Sequence, residues 1–190
     1  TEVKKEMESL ENLPPISQLE ETEKVQLVSR QSITCKELAD MMETESKKIL
    51  IMDCRTYEDF NASHIKFNYS ICSVPRELCS IGMTASKIGN TIPNESKVCW
   101  SLRKDRPIII FVDWFSTSLN RNTHIWWLKD ILTNWDEEVD VKPEMLFLEG
   151  GYESFLIKYP TKCTDSHVKI PRDIVTQAFT IDDIEYPSVD

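Results

Sequence analysis

The sequence predicts an α/β domain in three layers, a central and mainly parallel sheet with helices on both faces. Three observations point there. Short runs such as Ile108-Ile-Ile-Phe-Val112 are β-branched or aromatic throughout and too brief for an ordinary helix, as strands buried on both faces are. Between these runs lie stretches with apolar residues at helical spacing. Alternating strands and helices place successive strands parallel, because each helix carries the chain back to the start of the next strand.

Taken in order, residues 1–30 mix Glu and Lys around Pro14-Pro15 and read as an acidic, partly helical linker. The domain is expected to span 31–163. Ile33-Thr34-Cys-Lys-Glu37 carries the spacing of a capping box, and Leu38, Met41 and Met42 give the following helix one apolar face. Residues 49–52 form a second buried strand ending at Asp53, and 70–74 a third ending at Pro75. Short helices are expected at 76–79, 84–88 and 95–102. The run at 108–112 is the central strand, followed by a polar loop and a helix carrying Ile125, Trp126, Leu128, Ile131 and Leu132. The adjacent pair Trp126 and Trp127 cannot both face the core equally. A last strand at 144–148 leads through Gly150-Gly151, a tight turn, into a closing helix at 152–158 that stops near Pro160. Residues 164–190 read as an acidic flexible tail.

Charge and cysteine content narrow the function. The formal net charge is −10, with −3 in residues 1–30 and −4 in residues 165–190, so the acid lies in the flanks. There is no basic stripe for nucleic acid and no run long enough to insert in a membrane. The start at Thr1 without a signal segment reads as a piece of a longer chain. The six cysteines contain no C-x-x-C pair and the three histidines are scattered, which argues against zinc. No metal or other cofactor is expected, and scattered apolar thiols fit a reduced compartment.

A buried strand followed by a loop and a helix is a common anion site in α/β proteins, so an active site would sit at Asp113 and the residues after it. Two segments then carry a family likeness. Ile51-Met-Asp-Cys-Arg-Thr-Tyr-Glu-Asp-Phe-Asn-Ala-Ser-His-Ile65, with the strand ending in Pro75, resembles the first signature of rhodanese domains. Leu148-Glu-Gly-Gly-Tyr-Glu-Ser-Phe155, with Tyr159-Pro160, resembles the closing one. The resemblance implies a rhodanese-like fold in which Asp53, Arg55, His64, Gly150 and Gly151 are the signature residues, mostly holding the fold. A carboxylate and guanidinium just past a strand end can accept amides and tie turns together, and a ring after a helix end can bond a stray carbonyl.

Active members of that family place a cysteine where this chain has Asp113. A carboxylate cannot carry a persulfide, and its charge opposes an anionic donor. The related phosphatases require Arg six residues later, where this chain has Leu119, and no Gly lies between Gly89 and Gly150 to let the loop wrap an anion. Cys54 and Cys72 sit in strand-end and strand contexts and are expected to be inert. The resemblance extends, through Asp113-Trp-Phe-Ser116 and Tyr186-Pro-Ser188, to rhodanese domains of the ubiquitin-specific proteases. It implies a catalytically silent module of a cytoplasmic deubiquitinase, brought to endosomes by its parent, that recruits the substrate-binding domain of a RING-type ubiquitin ligase and takes no small-molecule substrate. Trp114 and Phe115 are partner-binding candidates, and the 76–106 segment is the other candidate surface. Two enzyme-related readings stand beside it: a sulfurtransferase with an unorthodox nucleophile, and a docking domain of a dual-specificity phosphatase. The second would carry a basic cluster, which the near-neutral middle of the chain lacks.

Overall fold

The structure, a computed structural model, describes residues 30–68 and 70–172. The linker assigned to 1–30 lies almost wholly outside these residues, as does the tail beyond 172. Five strands form one parallel sheet: β1 (Ser32–Ile33), β2 (Ile49–Asp53), β3 (Ile71–Ser73), β4 (Ile108–Val112) and β5 (Glu144–Leu148), in the order β1-β5-β4-β2-β3. The helices are α1 (Cys35–Thr44), α2 (Tyr57–Ala62), α3 (Ala85–Thr91), α4 (Asn94–Ser101), α5 (His124–Asn134) and α6 (Gly151–Lys158), with single 3-10 turns at Arg76–Leu78, Leu102–Lys104 and Pro160–Lys162.

Alternation along the strands divides the apolar side chains between two cores. Leu50, Met52, Ile109, Phe111, Met145 and Phe147 meet α3, α4 and α5 on one face. Ile49, Ile51, Ile110, Val112, Leu146 and Leu148 meet α1 and α6 on the other. Because both faces are covered, the central strands carry no polar face, which is why they read as unbroken apolar runs. The α1 cap is a complete capping box: Thr34 Oγ1 accepts the Glu37 amide, and Glu37 accepts the Thr34 amide at 2.9 Å.

Three features depart from the sequence reading. Ser32–Ile33 forms an edge strand on β5, a two-residue pairing too short to leave a periodic signal. The expected helix at 76–79 is one 3-10 turn, and those at 84–88 and 95–102 are shifted to α3 and α4. Part of the expected flexible tail is packed: Val168 and Ile170 lie against the second core, and Thr164 donates its amide to the His64 carbonyl at 2.9 Å. The ordered packing therefore runs past residue 163. Among the described residues no helix is long and apolar enough to cross a membrane.

Candidate functional site

The C-terminal ends of β2 and β4 lie side by side at the point where the chain order diverges, β2 leading outward to β3 and β4 leading the other way to β5. That divergence opens a crevice, the usual place for a ligand in such sheets. Here it is a cleft of about 600 Å³ lined by residues from both strand ends, including Cys54, Arg76, Asp113, Ser116 and His124.

Asp113 caps the loop that follows β4. Its carboxylate accepts the Ser116 amide at 2.9 Å and the Ser116 hydroxyl. Burial raises its pKa above the usual carboxylate range, against the hydrogen bonds from Ser116 and Phe115 that lower it. Amides that would hold an incoming anion are thus already turned to a carboxylate of the chain itself. Leu119 packs partly buried against the first core instead of presenting a cation, and Arg121 lies over the Trp126 ring, 5.3 Å from its centroid. Trp126 and Trp127 are both half-buried and meet edge to face at 5.0 Å.

The loop is fastened from the other side by the β5–α6 turn. Gly150 and Gly151 have φ of +74° and +61°, a left-handed path that favours glycine. This path brings Tyr152 to donate its amide to the Asp113 carbonyl at 2.7 Å, and Gly150 to donate to the Ser116 carbonyl at 2.8 Å. A Cβ on Gly151 would sit 2.5 Å from the Trp114 carbonyl carbon, so the close approach itself excludes any larger residue.

Beneath the loop lies a buried polar knot. Arg55 Nη2 donates to Asp53 Oδ2 at 2.7 Å and to the Ser63 carbonyl at 2.6 Å, while its Nε donates to Asp53 Oδ1 at 3.0 Å. Asp53 also accepts the Arg55 amide. The guanidinium carbon lies 3.8 Å from the Tyr152 ring centroid and 4.6 Å from that of Trp114, so its face is covered by aromatic rings. Ser63 Oγ donates to the Asp165 carbonyl at 2.6 Å and lies 2.6 Å from the Tyr152 hydroxyl. His64 stacks on Phe60 at 4.2 Å, with Nδ1 2.8 Å from the Phe60 carbonyl.

Of the sequence-derived partner candidates, Trp114 is 5% exposed and its indole N–H donates to Asp59 Oδ2 at 2.9 Å. It fills the space under the loop and is not offered to a partner. Phe115 is half-buried and stacks on it at 5.9 Å. Sequence reasoning missed Tyr152, Ser63 and the buried pair Arg103–Asp136, whose Nε donates at 2.8 Å. Tyr152 was in plain sight beside Gly151, but its distant partners carried no spacing signal.

None of the six cysteines is in a disulfide, and all six are buried. Burial, reinforced by a hydrogen bond with Cys79, pushes the Cys54 thiol well above its ordinary range, and burial does the same to Cys72. A thiol so held is a poor source of thiolate. Among the described residues no cluster of His, Cys, Asp and Glu has the arrangement of a metal site.

The profile of the Rhodanese-like domain matches residues 34–158. The chain belongs to the rhodanese-like domain family. Solved structures with a similar chain path include the As-Sb reductase of Leishmania major, at 18% identity over 70% of this chain and 80% of that one, with a TM-score of 0.45. A Bacillus halodurans protein matches at 15% identity over 75% and 82%, with a TM-score of 0.44. A Rhodopseudomonas palustris protein of unknown function, described as a possible tyrosine phosphatase, matches at 13% over 68% and 82%, with a TM-score of 0.43. Of the signature residues, Arg55 lines the cleft, Asp53 is paired with it, and Gly150 and Gly151 touch the loop that follows β4. His64 instead lines a separate cavity with Phe60 and Thr164.

Proposed function

We propose that this rhodanese-like domain is a non-catalytic interaction module of a deubiquitinating enzyme, which recruits a RING-type ubiquitin ligase through the ligase's substrate-binding domain. The observation that carries the non-catalytic half is the self-capped loop: Asp113 stands at the nucleophile position and holds the Ser116 amide and hydroxyl. A carboxylate there offers no sulfur for transfer, and no arginine follows six residues on. The partner half rests on the likeness of Asp113-Trp-Phe-Ser116 and the closing signature to rhodanese domains of ubiquitin-specific proteases. In this reading the domain works in the cytoplasm and at endosomes as part of its parent, and the acidic flanks are linkers.

Two measurements test it. Purified protein should show no thiosulfate:cyanide sulfur transfer and no aryl phosphatase activity above buffer, and Asp113→Cys should restore little because Leu119 remains. Transfer that persists in Asp113→Ala and vanishes in Cys54→Ser would establish an enzyme with an unorthodox nucleophile. Calorimetry with the ligase's substrate-binding domain should detect binding to the full chain, and absence of binding would end the ligase assignment.

A further inference from the structure

The described surface exposes five large apolar side chains, and two of them, Ile81 and Trp135, line one groove. It measures about 320 Å³ and runs between the 80–84 loop and the C-terminal half of α5, with Met83, Trp127, Asp130 and Ile131 completing its walls. The other three exposed residues, Val98, Val141 and Ile157, line no described cleft.

The backbone of both walls is held by hydrogen bonds. Trp135 is the C-cap residue of α5; its amide donates to the Ile131 carbonyl at 2.8 Å and its carbonyl accepts the Ala85 amide at 3.1 Å. The opposite loop turns at Gly82, whose carbonyl accepts Lys87 Nζ at 3.0 Å, and the Met83 amide closes back on the Ser80 carbonyl. Ordering costs at an interface fall when the backbone that carries the binding side chains is already held, and tryptophan is among the residue types most often dominant in binding.

The groove has one ionisable wall residue. Asp130 accepts a hydrogen bond from the Asn134 side chain at 2.9 Å, and no cation among the described residues is paired with it. An apolar trough with a single carboxylate on its wall is complementary to an apolar anchor accompanied by a positive charge. On a helix such a pair lies three or four residues apart on one face. We infer that the groove between the 80–84 loop and α5 is the seat of an amphipathic helix of a partner protein, its aliphatic or aromatic anchor set between Ile81 and Trp135 and a lysine or arginine one turn away facing Asp130. This inference rests on the interaction-module reading and adds to it a surface and a partner chemistry.

The test selects binders for the full chain from a displayed library of single helices, randomised at apolar and charged positions, and then measures synthetic copies. Selected helices should carry a large apolar residue with Lys or Arg three or four positions away. Their affinity should fall at least about tenfold with Ile81→Asp and with Trp135→Ala. Asp130→Lys should weaken them similarly, and exchanging the helix's lysine for glutamate should restore binding to Asp130→Lys. Ile81 is 81% exposed, so its replacement leaves the core untouched, and circular dichroism checks each variant. Helices whose affinity ignores all three substitutions, or lacks the charge-swap rescue, overturn the inference. A concentration-dependent dimer abolished by Ile81→Asp would also overturn it, by making a second copy of the chain the occupant. The ligase domain separates this from the earlier reading. If the selected helices bind in the groove while the ligase does not bind, the ligase assignment alone fails. If the ligase binds and is not displaced by the selected helices, the groove is not its seat and the inference fails as a refinement of that reading.

Discussion

The strand-end cleft and the α5 groove are opposite solutions to placing polar and apolar groups. Under the cleft, charged groups are buried and almost every one has a partner: Asp53 with Arg55, Arg55 with Ser63, Tyr152 with Ser63, Asp113 with Ser116. In the groove, apolar groups are exposed and one carboxylate has no cation paired with it among the described residues. The first arrangement spends its hydrogen-bonding capacity inside the chain. The second leaves its surface energy available to another molecule. On the function proposed above, the strand-end site serves as scaffold and the groove as contact surface.

The sharpest way to break the contrast is Arg55→Ala. It strands the buried Asp53 carboxylate and should lower unfolding free energy by about 3–5 kcal/mol in urea titrations. A loss below about 1 kcal/mol would show that water enters the knot and that it is not a closed network. The two regions also differ at their glycines. Gly151→Ala combines a φ of +61° with contacts of 2.5–2.6 Å to backbone atoms of Asp113, Trp114 and Phe115, and should cost about 2–4 kcal/mol. Gly82→Ala has a φ of +82° but open space around the new methyl, so only conformational strain remains, about 1–2 kcal/mol. Equal losses would mean that the loop yields to the intruding methyl.

Asp113 sharpens the comparison through pH. Its folded pKa is raised by burial, so the folded state holds a proton more tightly than the unfolded one. Stability from this group is therefore greatest below the unfolded pKa and is lost as pH rises toward the folded value, by at most about 1.4 kcal/mol per pH unit. Denaturation from pH 4 upward should show a smaller decline in Asp113→Asn than in the wild type. A steeper decline in the variant would refute the desolvation account. Ile81→Ser, at the groove, should shift stability by no more than about 0.5 kcal/mol at any pH.

Most of the architecture was legible because its signals are local. The capping box at Thr34 and Glu37 needs only a spacing of three residues, and the apolar runs at β2, β4 and β5 need only their own composition. Asp113 could be placed at a strand end for the same reason. What stayed hidden depends on distance in sequence. The burial of Trp114 follows from Asp59 and Tyr152, which lie on separate helices. The exposure of Trp135 follows from a helix ending one residue earlier, and its proximity to Ile81 from a backbone bond to Ala85. The two-residue β1 has too few side chains for any periodicity to register.

That same β1 sets a condition on how the chain is made. Ile33 pairs with Leu148, and the Ser32 hydroxyl donates to Glu149 at 2.6 Å, so an element near the start of the domain is completed by one near its end. During synthesis the first strand leaves the ribosome long before its neighbour exists, and it waits without a sheet to join. Closure of so long a loop is slow, so β1 is expected to dock after β2, β4 and β5 have assembled. The outer edge of β5 is thus the last part of the sheet to be covered, and in that interval it is an open strand edge with unpaired amides and carbonyls. A chain stalled before β1 docks is the form of this protein most prone to join another copy edge to edge.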